Sequence, residues 1–128
     1  MSSPQLWLAV GVGGAIGAMA RHAVGAASLR LFGPNFPWGT LAVNIAGSLA
    51  MGLFIAWLVA REPHTSVMRA FVATGVLGGF TTFSTFALDA VALWRDKSLA
   101  IAGVYVTASV VLSIGGLLAG LAAGRALT

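Results

Sequence analysis

Three groups of side chains in this chain have types and spacing that suit handling a small anion. Thr40, Asn44 and Ser48 recur every four residues, as do Tyr105, Ser109 and Ser113. Each set therefore shares one face of a helix. Between them lies Gly75-Val76-Leu77-Gly78-Gly79-Phe80-Thr81-Thr82-Phe83-Ser84-Thr85-Phe86, in which three glycines precede four hydroxyl residues. Hydroxyls, an amide and backbone N–H groups donate hydrogen bonds. The ring edges of Phe83 and Phe86 carry positive quadrupole and can face an anion without trapping it as a full charge would. Plainer roles exist: Ser and Thr in apolar helices bond back to their own backbone, and phenylalanines pack cores. Asn44 fits the plain reading least, because an amide in lipid is costly unless it pairs with another helix or meets water.

Acids are scarce along the same faces. Asp89 stands near the end of the third apolar segment, and no Asp or Glu lies deep in the others. Carriers of protons or cations generally need a buried acid, so a donor-rich, acid-poor lining points to an anion. Arg21 is the one cation inside an apolar segment. It either snorkels to the nearer interface or draws anions into an entry vestibule, and both readings stay open. His22 and His64 read as interface or loop residues without a second ligand at metal spacing. No nucleophile–base pairing is visible, so an enzyme is not expected.

The elements that must position these groups are set by hydropathy. Of 128 residues, 59% are hydrophobic and 8% charged, with a mean hydropathy of +0.96. A soluble domain carries about 25% charged residues, so the composition is that of a membrane protein. The net charge of +4 comes from seven scattered cations. They form no basic stripe with interleaved aromatics, which excludes nucleic acid as the expected partner. With no cysteine, disulfides and thiolate sites are excluded. The first charge is Arg21, so no basic region precedes the first apolar run and a cleavable signal peptide is not expected.

Charges divide the chain into four apolar segments. The first 20 residues carry none; 30 uncharged residues separate Arg30 from Arg61, 19 separate Arg69 from Asp89, and 27 separate Lys97 from Arg125. A transmembrane helix needs about 20 apolar residues. The expectation is thus an all-α membrane protein, one domain over 1–128, with four spans near 5–27, 37–60, 67–94 and 98–124. Glycine costs about 1 kcal/mol against alanine in a helix, so the third span is expected to break within the Gly75–Phe86 stretch. Gly13 and Gly17 form one GxxxG, and Gly116, Gly120 and Gly124 a double one, suited to close helix contacts.

Four spans place Arg61, Arg69 and Arg125 on one side and Arg30, Arg95 and Lys97 on the other. Such balance gives the positive-inside rule nothing to act on, and Arg21 tips it only weakly. Two readings follow: insertion in both orientations with pairing as an antiparallel dimer, or a fixed orientation set by a partner.

At these residues the chain resembles the Fluc (CrcB) family of fluoride channels. The resemblance rests on Gly13-Gly14-Ala15-Ile16-Gly17-Ala18 leading to Arg21, on Gly39-Thr40-Leu41-Ala42-Val43-Asn44 with Gly47, and on Gly78 through Phe86. It covers essentially the whole chain, and the third motif is the specific one. It implies a dual-topology antiparallel homodimer in the cell inner membrane, with two passive pores that export fluoride and confer fluoride resistance. It also implies that Phe83 and Phe86 face the pores, that Asn44 is the amide donor, and that Tyr105, Ser109 and Ser113 form a polar track. Thr40 is implied as a further lining group. A central structural sodium ion is implied on the backbone carbonyls of Gly78 and Thr81 from both copies, with no organic cofactor. Phe80 is assigned packing alone. The alternatives are a small four-helix multidrug or cation transporter, which would need a glutamate that the first span lacks, and a non-transporting membrane accessory protein.

Overall fold

Ser3 opens the first helix: its Oγ accepts from the Leu6 amide at 3.3 Å, and Pro4 supplies a preset φ in the first turn. This helix, α1 (Pro4–Phe32), runs past the expected end near residue 27. Arg30 falls in its last turn, and the chain leaves it at Gly33, whose φ of 77° is open to glycine at little cost. The computed structural model describes residues 3–61, 63 and 66–128, so His64 lies outside the described residues.

The loop 33–37 leads into α2 (Trp38–Ala60). The third segment is built in pieces: α3 (Ser66–Arg69), a π-helical stretch (Ala70–Leu77), α4 (Gly78–Phe80) and α5 (Ser84–Asp96). Ser98 then caps α6 (Leu99–Leu127) by accepting from the Ile101 amide at 3.1 Å. Four helical segments, Pro4–Phe32, Trp38–Ala60, Ser66–Asp96 and Leu99–Leu127, are long and apolar enough to cross a membrane. The protein is an all-helical, multi-pass membrane protein.

Two close pairings organise the segments, α2 with α6 and α1 with the π-helical stretch. Both rest on glycine. A Cβ on Gly17 would collide with Val76 O, and one on Gly13 would come within 2.5 Å of Phe71 O. On the other pair, Gly52 and Gly120 face each other so closely that a Cβ on either would meet the opposite backbone. Gly124 makes a similar approach to Ala56 and Leu53, whereas Gly116 has ordinary clearance. Without a hydrophobic drive between helices in lipid, such contact is the available source of cohesion. Few other side chains among the described residues are buried: the core cluster is Leu41, Phe86, Leu93, Ala102 and Tyr105, and Val43 and Leu58 of α2 are fully buried outside it. Many large apolar side chains face outward, including Trp7, Met19, Leu31 and Leu127, as a lipid-facing surface requires.

Candidate functional site: a donor-lined cavity beside the Thr81–Phe83 interruption

The helical hydrogen-bond ladder ends with the Thr81 amide, which donates to Leu77 O at 3.1 Å. Thr81 is extended (φ −89°, ψ 161°), and helix resumes at Ser84. Backbone groups freed inside an apolar segment need new partners, and two other spans supply them. The Thr82 amide, which a continuing α-helix would direct to Gly78 O, is bonded instead to Asn44 Oδ1 at 2.8 Å. Asn44 Nδ2 returns a bond to Thr82 O at 3.0 Å. The side chain of α2 thereby mimics a backbone partner, donor and acceptor together. Arg21 Nε donates to Gly79 O at 3.0 Å, the carbonyl that would otherwise meet the Phe83 amide. Thr82 also starts the next helix, its Oγ1 accepting from the Thr85 amide at 3.1 Å. Thr81 closes the preceding turn through its own hydroxyl, which donates to Leu77 O at 3.0 Å.

Beside this interruption lies a cavity of about 390 Å³. Asn44 and Ser48 of α2, Thr81, Thr82, Phe83 and Phe86 of the third segment, and Ser109 and Ser113 of α6 all line it. The structure therefore brings five of the expected pore residues, Asn44, Phe83, Phe86, Ser109 and Ser113, to one cavity, together with Thr81 of the expected sodium pair. The Oγ atoms of Ser109 and Ser113 are both buried and have no hydrogen-bond partner. That is costly for a hydroxyl in apolar surroundings, and back-bonding to the helix does not remove the cost here. The two phenylalanines differ: Phe83 is 79% exposed and Phe86 only 9%, with ring centroids 5.5 Å apart.

Tyr105 and Thr40 sit apart from this wall. Tyr105 is fully buried, its ring 5.4 Å from Phe86 and edge-on to Phe36 at 5.5 Å. Its hydroxyl donates to Asp89 Oδ2 at 3.1 Å, with Thr40 close by. Thr40 and Asp89 belong to a second cavity of about 530 Å³, together with Arg21, His22, Thr82 and Thr85. Thr82 borders both cavities. Arg21 thus neither reaches simply for the interface nor stands free: it ties α1 to the interruption from the wall of the second cavity.

Three parts of this arrangement lie outside the sequence expectations. Thr82 is one: a threonine just ahead of a helix is a capping residue type, but four hydroxyl residues in this stretch compete for the role. Asp89 reads in the sequence as an isolated acid, and nothing local points to Tyr105 sixteen residues away. The Arg21 contact with Gly79 has no sequence signature.

The family model described as CrcB-like protein, Camphor Resistance (CrcB), matches residues 8–121. The chain belongs to the CrcB family. It is 57% identical over 117 residues to the fluoride-specific ion channel FluC of Agrobacterium fabrum, covering 91% of this chain and 93% of that protein. It is 52% identical to the fluoride-specific ion channel FluC of Mesorhizobium japonicum over 94% of this chain and 96% of that one. The fluoride-specific ion channel FluC 1 of Nitrobacter hamburgensis is 49% identical over 94% of this chain and 95% of its own. These CrcB relatives are ion channels, and the family is not one of enzymes.

Proposed function

We propose that the protein is a passive, fluoride-selective channel that exports cytoplasmic fluoride across the cell inner membrane. The observation that carries this reading is the pair of partnerless serine hydroxyls, Ser109 and Ser113, on the cavity wall they share with Asn44, Phe83 and Phe86. A fluoride ion must exchange strongly held water for hydrogen-bond donors. Two free hydroxyls, the second Nδ2 hydrogen of Asn44 and two ring edges offer such donors without a fixed positive charge that would hold the ion. Asp89 and Tyr105 are engaged with each other. Tyr105 therefore acts by holding the Phe86 ring edge toward the path, and Thr40 acts through Tyr105. Arg21 presents its remaining N–H groups to the second cavity, where it draws anions toward Thr82.

The active form is an antiparallel homodimer with one pore on each side. The Ser66–Asp96 segment is the least covered of the four, with Phe83 and Ser84 exposed at the interruption. An interrupted helix at membrane depth is tolerated only against protein or water, which calls for a second copy over this face. Phe83 would then complete the partner's pore. The balanced cations at the two ends suit insertion in either orientation.

The residues present fit a sodium ion at the centre of such a dimer. The Thr82 amide goes to Asn44 rather than Gly78 O, and the Thr85 amide to Thr82 Oγ1 rather than Thr81 O. Both carbonyls are therefore released from the helical ladder, and two copies present four hard oxygens, the ligand type an alkali cation prefers. A bound sodium would neutralise the converging carbonyl dipoles. The chain's own part is to hold Gly78 and Thr81 in place through Asn44 and Thr82.

The experiment is fluoride efflux from liposomes that carry the purified dimer, with chloride as control and no imposed proton gradient. Fast fluoride release with chloride retained is expected. Absence of fluoride flux from correctly folded dimer overturns the reading. Transport of a drug cation against a proton gradient would replace it with the multidrug alternative.

A further inference from the structure

At the end of the bundle away from Arg30, Arg95 and Lys97, an apolar groove of about 930 Å³ opens between α2, the start of the third segment and the end of α6. Its wall is made of Leu53, Phe54, Trp57, Phe71, Val72 and Leu127, among others. The size lies near the top of the range for pockets that take small organic ligands, about 300–1,000 Å³. The mouth is basic. Arg61 Cζ stands 4.8 Å from the centroid of the Trp57 ring. Arg69 follows the groove residue Met68, and Arg125 lies between the groove residues Gly124 and Leu127. All three arginines are exposed. Trp57 beside Arg61 has the composition of a membrane–water boundary, where aromatic rings and cations sit at headgroup level.

We propose that this groove seats the acyl chains of an anionic phospholipid whose phosphate is held by Arg61, Arg69 and Arg125. The wall asks for hydrocarbon and the mouth for negative charge, and an anionic lipid supplies both in one molecule. A second copy of this chain is the poorer occupant. Both ends of the bundle are cationic, with Arg61, Arg69 and Arg125 at one and Arg30, Arg95 and Lys97 at the other. Either orientation of a copy would bring like charges to the mouth. The groove is also separate from the donor-lined cavity, with which it shares no lining residue.

The test is native mass spectrometry of the full chain in detergent micelles, titrated with phosphatidylglycerol or with phosphatidylcholine. Phosphatidylglycerol adducts should persist where phosphatidylcholine adducts do not. R61Q combined with R125Q should lower phosphatidylglycerol retention roughly tenfold or more. Val67→Trp, which fills the half-exposed rim of the groove, should lower it with all arginines intact. R95Q combined with K97Q removes the same charge from the opposite end and should leave retention unchanged. Equal binding of the two lipids, or equal loss in both double variants, overturns the proposal. So does a shift of the monomer–dimer balance by Val67→Trp, which would make the occupant another copy.

Discussion

Replacing Asn44 by alanine tests whether this side chain builds the site or only lines it. In the wild type its amide makes two hydrogen bonds to one residue, Thr82 N to Oδ1 at 2.8 Å and Nδ2 to Thr82 O at 3.0 Å. At about 0.5–1.5 kcal/mol each, these contribute roughly 1–3 kcal/mol. Measured interhelical bonds in membranes, averaging about 0.6 kcal/mol, favour the lower part of that range. The residue is half-buried beside a cavity, so water replaces part of what is lost and the full penalty for stranded groups does not apply. The expected destabilisation of N44A is therefore about 1–3 kcal/mol, read by equilibrium unfolding in mixed micelles. N44D separates the two bonds. Its ionised carboxylate still accepts from the Thr82 amide but meets Thr82 O with no hydrogen to donate, so it should be no more stable than N44A. If N44A unfolds within about 0.5 kcal/mol of wild type while flux is lost, Asn44 is a pore donor alone and the bracing argument fails.

Other consequences can be measured with the same preparations. S109A and S113A remove hydroxyls that have no partner, so folding stability should hold or rise by up to about 1 kcal/mol while fluoride efflux falls; a clear loss of stability would mean the hydroxyls are bonded after all. F83I should leave the stability of the single chain unchanged because the ring is exposed, whereas F86I should cost about 1–2 kcal/mol through lost packing on Tyr105. Together the two should largely abolish flux with the dimer intact, and unchanged conduction would refute the aromatic path. G17A places a Cβ against Val76 O and should destabilise by about 1–3 kcal/mol, while G103A, with nothing within 4 Å of the new atom, should not; equal effects would deny the close α1 packing. Exhaustive replacement of sodium by a large organic cation should reduce fluoride flux if Gly78 and Thr81 hold the ion, and full activity at verified sodium depletion would refute that site.

Hydropathy alone determined that the chain is helical and spans a membrane, because the number and length of uncharged runs leave no soluble alternative. The span limits came within a few residues, with the largest error at the end of α1. There the apolar pattern ends early but the helix persists to its glycine cap at Gly33. Residue spacing also put Asn44 on one face of its helix with Thr40 and Ser48, and Ser109 and Ser113 on one face of theirs, since a four-residue period is local geometry. What only the tertiary structure decided is how those groups are used. A carboxamide looks the same in sequence whether it points a donor into a cavity or braces another helix, and Asn44 is bonded to Thr82. Tyr105 continues the period of Ser109 and Ser113, yet Asp89, Phe36 and Phe86 close around it. Arg21 could reach water or protein, and the deciding partner is a carbonyl 58 residues away. Such pairings depend on which helix lies beside which. In an apolar chain that choice is made by close approach at glycines distant in sequence, such as Gly13 with Gly75 and Gly52 with Gly120.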